Sequence, residues 1–133
     1  MVGHPPLTPL PPQRGIVFFA HGSRDPLWSH PIEAVAHQLK QQNPSAQCLC
    51  AYLELTAPDL PTATAELVMG GCEFITILPM FLGTGRHARQ DLPILVQELQ
   101  ATYPRVHFQI ATAVGEDPRL TALLAHMAQQ YIE

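Results

Sequence analysis

GIVFFAHGSRDP, residues 15–26, decides how the rest of the chain is read. Ile16 to Ala20 is an unbroken apolar run of strand length. It stops at His21-Gly22-Ser23, where glycine permits a tight turn. Helical periodicity follows, with Trp28, Ile32, Val35, Ala36 and Leu39 on one face. A strand apolar on both faces, a loop carrying a histidine and then a helix make the opening half of a βαβ unit.

The same rhythm continues along the chain. Further strands are expected at Cys48 to Leu53, Phe74 to Leu78 and Val106 to Thr112. A second, weaker helix carries Leu60, Leu67 and Val68 before Gly70 and Gly71, which suit a helix end. Two stripes of identical spacing mark the last helices: Leu92, Leu95, Val96, Leu99 and Tyr103, then Leu120, Leu123, Leu124, Met127 and Tyr131. Both are expected to cover the sheet. Prolines 31, 61, 93 and 118 stand near the expected helix starts, and Asp117 can cap the last one.

Repeated strand-helix units imply an α/β three-layer sandwich, with a four-stranded parallel sheet, right-handed crossovers and helices on both faces. The first and third strands, almost continuously apolar, belong in the centre. The fourth alternates Val106, Phe108 and Ile110 with His107 and Gln109, as an edge strand does. Residues 15–133 form the single expected domain. Residues 1–14, with prolines 5, 6, 9, 11 and 12, read as a proline-rich disordered tail.

Composition narrows the function. A formal charge of −4 and no basic stripe argue against nucleic-acid binding. No apolar run reaches the roughly 18 residues of a membrane span, and no secretory leader pattern is seen. Three cysteines without a CxxC pair fit the reducing cytoplasm. Six of the seven basic residues are arginine, a type suited to carboxylates, and Arg24, Arg86 and Arg89 stand beside candidate site histidines.

In an open α/β sheet, ligands bind at the carboxyl ends of the strands, where strand order reverses. His21 follows the first strand, Glu54 closes the second, and His87 lies in the expected loop after the third. Two imidazoles and a carboxylate can hold a borderline divalent ion while leaving positions open. They can also accept protons near neutral pH. Gly83 and Gly85 around Thr84 read as a flexible, close-approach loop, but the full phosphate-binding fingerprint is missing. His4, His30, His37, His107 and His126 have no ligand partner nearby in sequence, and Cys48, Cys50 and Cys72 read as core packing.

Three stretches carry a family resemblance: HGSRDP (21–26), YLELTAPDLP (52–61) and PMFLGTGRHARQDLP (79–93). From Gly15 to about Glu133 the chain resembles the short form of the class II tetrapyrrole chelatases, the sirohydrochlorin cobaltochelatase or ferrochelatase family of cobalamin and sirohaem synthesis. The resemblance implies a chelatase-like fold with flavodoxin-like strand order. It also implies insertion of Co²⁺ or Fe²⁺, with Ni²⁺ a further candidate, into sirohydrochlorin. The metal is then a substrate; no permanent cofactor and no iron–sulfur cluster are expected. His21 is implied as metal contact and proton acceptor, His87 as second metal contact, and Glu54 as the site carboxylate. Leu82, Gly83, Thr84, Gly85 and Arg86 match the loop lying against the macrocycle, and Ser23, Arg24 and Arg89 join the expected substrate contacts. Long family members hold two such domains, so this chain is expected to pair as a homodimer.

A carrier that binds metal or tetrapyrrole without turnover is the competing reading. A histidine phosphoesterase is disfavoured, because Ala20 stands where that chemistry uses an arginine.

Overall fold

Four apolar runs become four parallel strands, bounded where turn residues or charge interrupt them. A computed structural model describes Gly3 and residues 13–133. The strands are β1 (Gln13–Ala20), β2 (Gln47–Tyr52), β3 (Cys72–Pro79) and β4 (His107–Ile110). The helices are α1 (His30–Gln42), α2 (Leu60–Met69), α3 (Arg86–Thr102) and α4 (Pro118–Gln129), the last preceded by a 3-10 turn at Val114–Glu116. The sheet order is β2-β1-β3-β4. The apolar strands β1 and β3 are central and the alternating β4 is an edge, as expected.

Register fixes which side chains share a face. Ile16 lies opposite Cys48 on one side and Thr76 on the other, and Ile75 lies opposite Phe108. Val17, Phe19, Ile75 and Ile77 therefore point to one face, where they form the core with Leu60 and Leu67 of α2 and Leu92 and Leu99 of α3. The other face is covered more thinly. Cys48 and Cys50 turn towards α1, their sulfurs 3.7 Å and 3.8 Å from the carbonyls of Ala36 and Ile32. Burial pushes both thiols up from their ordinary pKa, which suits packing rather than metal binding.

Local expectations needed three small adjustments. The expected disordered tail at residues 1–14 lies mostly outside the described residues, but Gln13 and Arg14 already belong to β1. Arg14 then sits over the Phe74 ring, which stacks in turn on His107. Trp28 precedes α1 instead of lying on it, and packs edge-on against Tyr52. Pro93 falls inside α3 because that helix starts early, at Arg86; the ring removes one helical hydrogen bond, towards the Arg89 carbonyl.

The largest departure is α4. Asp117 caps it as expected, accepting from the Arg119 N–H at 2.9 Å. Yet no α4 residue is buried, and Leu123, Leu124, Met127 and Tyr131 stand exposed. Periodicity requires an apolar stripe to be covered by something, but it does not name the cover. Here β4 is only four residues long, and Leu120 and Leu123 of α4 share only an open cleft with Leu78 of β3. Between α1 and α4 the sheet is left as a trough. Ile16, Phe18, Val35, Leu39 and Leu78 line a cleft of about 580 Å³, and Leu78 continues it towards Leu120 and Leu123.

Candidate functional site

Strand order reverses between β1 and β3, and the loops leaving β1, β2 and β3 carry the candidate residues. His21 directly follows β1. Its backbone carbonyl accepts from the Glu54 N–H at 3.0 Å, and Ala20 O accepts from the Leu53 N–H at 2.9 Å. Ser23 adds two bonds to Thr56, one to the Thr56 Oγ1 at 2.9 Å and one from it at 2.8 Å. The parallel pairing of β1 and β2 thus continues beyond the strands into both loops.

Gly22 explains how the loops come so close. It has φ 104°, and a methyl group on its α-carbon would overlap the Glu54 carbonyl. Leu55 next door takes φ 64° without being glycine, a strained conformation of the kind that clusters at functional sites. The result is a direct contact between side chains: His21 Nε2 lies 2.9 Å from Glu54 Oε1, both about half exposed. Sequence separation hid this pair, but the strand-end rule found both members.

His87 is placed differently from expectation. It lies in the first turn of α3, not in a loop, and its side chain is 79 % exposed. Its Nε2 faces Asp91 Oδ2 at 2.9 Å, one helical turn on. No group of three or more His, Cys, Asp or Glu side chains comes within shared reach of a metal among the described residues. The structure therefore joins His21 to Glu54 and leaves His87 with Asp91. Asp91 was missed in the sequence, although the HxxxD spacing was there to be read.

The loop after β3 is held from below. The Gly115 N–H donates to Phe81 O at 3.0 Å, and a methyl on Gly115 would overlap the Leu82 carbonyl. A methyl on Gly83 or Gly85 would meet no protein atom within 4 Å, so nothing within the chain itself requires glycine at either position. Thr84 and Arg89 line a cleft of about 250 Å³ with Phe81, Leu92, Ile110 and Glu116. Arg24 and Arg86 are exposed. Each of the three loops also presents one leucine more than half exposed: Leu27, Leu55 and Leu82. Only Leu82 was singled out from sequence, because isolated loop leucines carry no pattern.

A family model for CbiX matches residues 15–131. This chain belongs to the CbiX family. Among solved structures, a CbiX protein from Marinobacter aquaeolei VT8 superposes with a TM-score of 0.78 at 30% identity, over 90% of this chain and 94% of that one. The sirohydrochlorin cobaltochelatase of Sulfolobus acidocaldarius is 26% identical over 87% of this chain and 90% of its own length. The sirohydrochlorin ferrochelatase of Bacillus subtilis is 25% identical over 86% of this chain, but only 44% of its own length is matched. The cobalt complex of the sirohydrochlorin chelatase SirB from Bacillus subtilis subspecies spizizenii shares the fold, with a TM-score of 0.75 at 23% identity and 50% of that chain covered. CbiX chains thus resemble a whole short relative and about half of a long one. Among the described residues, no helix is long and apolar enough to cross a membrane.

Proposed function

We propose that this CbiX protein inserts a divalent metal into sirohydrochlorin, with Co²⁺ and Fe²⁺ as the leading ions and Ni²⁺ as a third, for cobalamin or sirohaem biosynthesis. The observation that carries this reading is the His21–Glu54 pair, 2.9 Å apart at the carboxyl edge of the sheet. Donors about 2.1 Å from an ion and at right angles to each other sit roughly 3 Å apart, so the pair has the spacing of two neighbouring ligands once the ion takes the place of the proton that they share. Half exposure leaves the ion's remaining positions free for ring nitrogens.

Insertion exchanges M²⁺ for the two N–H protons of the ring. The metal forms bonds to the ring nitrogens, and two protons leave. In this reading His21 is metal contact and proton acceptor, Glu54 shares the ion or takes a proton, and His87 is the second metal contact. Leu27, Leu55 and Leu82 give the macrocycle apolar support. Arg24, Arg86 and Arg89 meet its carboxylates, with Ser23, Gly83, Thr84 and Gly85 lining the approach.

The working form is a homodimer. In support stands the bare stripe of α4 beside an apolar trough on the same chain, a combination that two copies can cover mutually under two-fold symmetry. Three free cysteines favour a cytoplasmic setting.

The test is an anaerobic absorbance assay of sirohydrochlorin with each ion, run with protein, without it, and with His21→Ala and His87→Ala. Acceleration lost in both variants is expected. Ring binding without acceleration would mark a carrier and overturn the enzymatic reading.

A further inference from the structure

We infer that Asp91 is a positioning residue for His87, fixing which ring nitrogen faces an incoming ion. The inference rests on the reading of His87 as a metal contact.

α3 begins against the usual electrostatic preference. Its first turn holds Arg86 and His87 and no acidic residue, Arg89 follows, and the N-cap Gly85 has no side chain to satisfy the free N–H groups. A helix N-terminus carries partial positive charge and favours anions. A dication approaching His87 therefore meets two guanidinium groups and the positive end of a helix. Asp91 is the only carboxylate in the run Arg86 to Asp91, and among the described residues its one ionisable partner is His87.

The geometry assigns the atoms. Residues four apart share a helix face, and here that spacing brings Asp91 Oδ2 to 2.9 Å from His87 Nε2. A carboxylate can only accept, so the proton stays on Nε2 and Nδ1 keeps the free lone pair. Nδ1 is then the atom that His87 offers to an ion, with the carboxylate behind it, in the manner of a carboxylate–histidine–metal relay. His21 also meets a carboxylate through Nε2, that of Glu54. The supports differ: main-chain bonds between two loops hold Glu54, whereas the helical repeat alone holds Asp91.

Stability does not account for the pair. His87 is 79 % and Asp91 41 % exposed, and exposed helical ion pairs contribute little to folding. Effects of removing Asp91 on metal handling are therefore separable from effects on the fold.

The experiment compares wild type, Asp91→Ala, Asp91→Asn, Asp91→Glu, His87→Ala and the double variant His87→Ala/Asp91→Ala. Co²⁺ binding is followed by its visible absorption, and sirohydrochlorin insertion by steady-state kinetics. Asp91→Ala is expected to weaken Co²⁺ binding or lower kcat by about 10–100-fold, with KM for sirohydrochlorin held within about twofold. Asp91→Glu, whose carboxylate reaches the ring from the same turn, restores most of the loss. Adding Asp91→Ala to His87→Ala changes nothing further. A wild-type Co²⁺ spectrum and kcat in Asp91→Ala and Asp91→Asn would overturn the inference, as would an equal loss in the His87→Ala background. Should His87→Ala itself behave as wild type, the reading of His87 falls and takes this inference with it. Asp91→Asn keeps the volume and serves if Asp91→Ala does not fold.

Discussion

α3 and α4 carry apolar residues at the same spacing, Leu92, Leu95, Val96 and Leu99 in one, with Tyr103 just past its end, and Leu120, Leu123, Leu124 and Met127 in the other, with Tyr131 just past its end. Leu92 and Leu99 are buried against the sheet, and Leu95, Val96 and Tyr103 pack beside them. None of the α4 residues is buried. The difference lies in what each helix meets: Leu92 and Leu99 of α3 reach the core packed on the sheet, whereas Leu120 and Leu123 of α4 only share an open cleft with Leu78. An amphipathic stripe is thus a demand for cover, which the same chain meets for α3 and leaves unmet for α4.

The strongest way to break this comparison is to truncate matching leucines. Leu99→Ala is expected to destabilise by about 2–5 kcal/mol, the usual range for a buried leucine, in urea unfolding. Leu124→Ala, at the equivalent stripe but exposed, is expected to shift unfolding of the dilute protein by less than about 0.5 kcal/mol. At high concentration the same variant is expected to move mass from the proposed dimer towards monomer in light scattering. Equal unfolding losses from the two would mean that α4 is buried in its own subunit.

The turn before α4 links the bare region to the site. Gly115→Ala forces the Leu82 carbonyl to move; overpacking of this kind costs about 1–3 kcal/mol, and KM for sirohydrochlorin is expected to rise with it. Gly83→Ala, where a methyl meets no protein atom, is the control for stability and should leave unfolding unchanged.

Helix caps sharpen the contrast further. Asp59 caps α2 on the covered face, accepting from the Thr62 N–H at 2.9 Å, and Asp59→Ala is expected to cost about 1 kcal/mol in thermal unfolding. Asp117 caps α4, and its hydrogen bonds with Arg119 hold its carboxyl at about 2. A folded pKa below the ordinary carboxylate value means that the cap contributes fully above about pH 4 and is lost as pH falls towards 2. Amide exchange in α4 is therefore expected to quicken over that interval, and Asp117→Asn should remove the pH step.

The order of elements, the central places of β1 and β3 and the edge place of β4 were legible because burial on two faces, or on one, leaves a direct mark on strand composition. His21 and Glu54 were legible because strand ends in a parallel sheet share an edge. Their direct contact was not, since it depends on Gly22 accepting φ 104° and on loop bonds between residues more than thirty positions apart. The exposure of α4 was hidden for a related reason: periodicity is a property of one helix, and cover is a property of its surroundings. The start of α3 at Arg86 was obscured by Pro93, which reads as a helix opening when sequence alone is considered.

Main-chain bonds, not side-chain packing, set the distance between positions 21 and 54. That separates spacing from donor chemistry. Replacing Glu54 by cysteine or histidine exchanges a hard oxygen for a soft sulfur or an intermediate nitrogen, while both loops stay stitched as they are. Under the proposed reading, metal preference at this edge is accordingly open to retuning by one side chain, on a scaffold that needs no redesign to receive it.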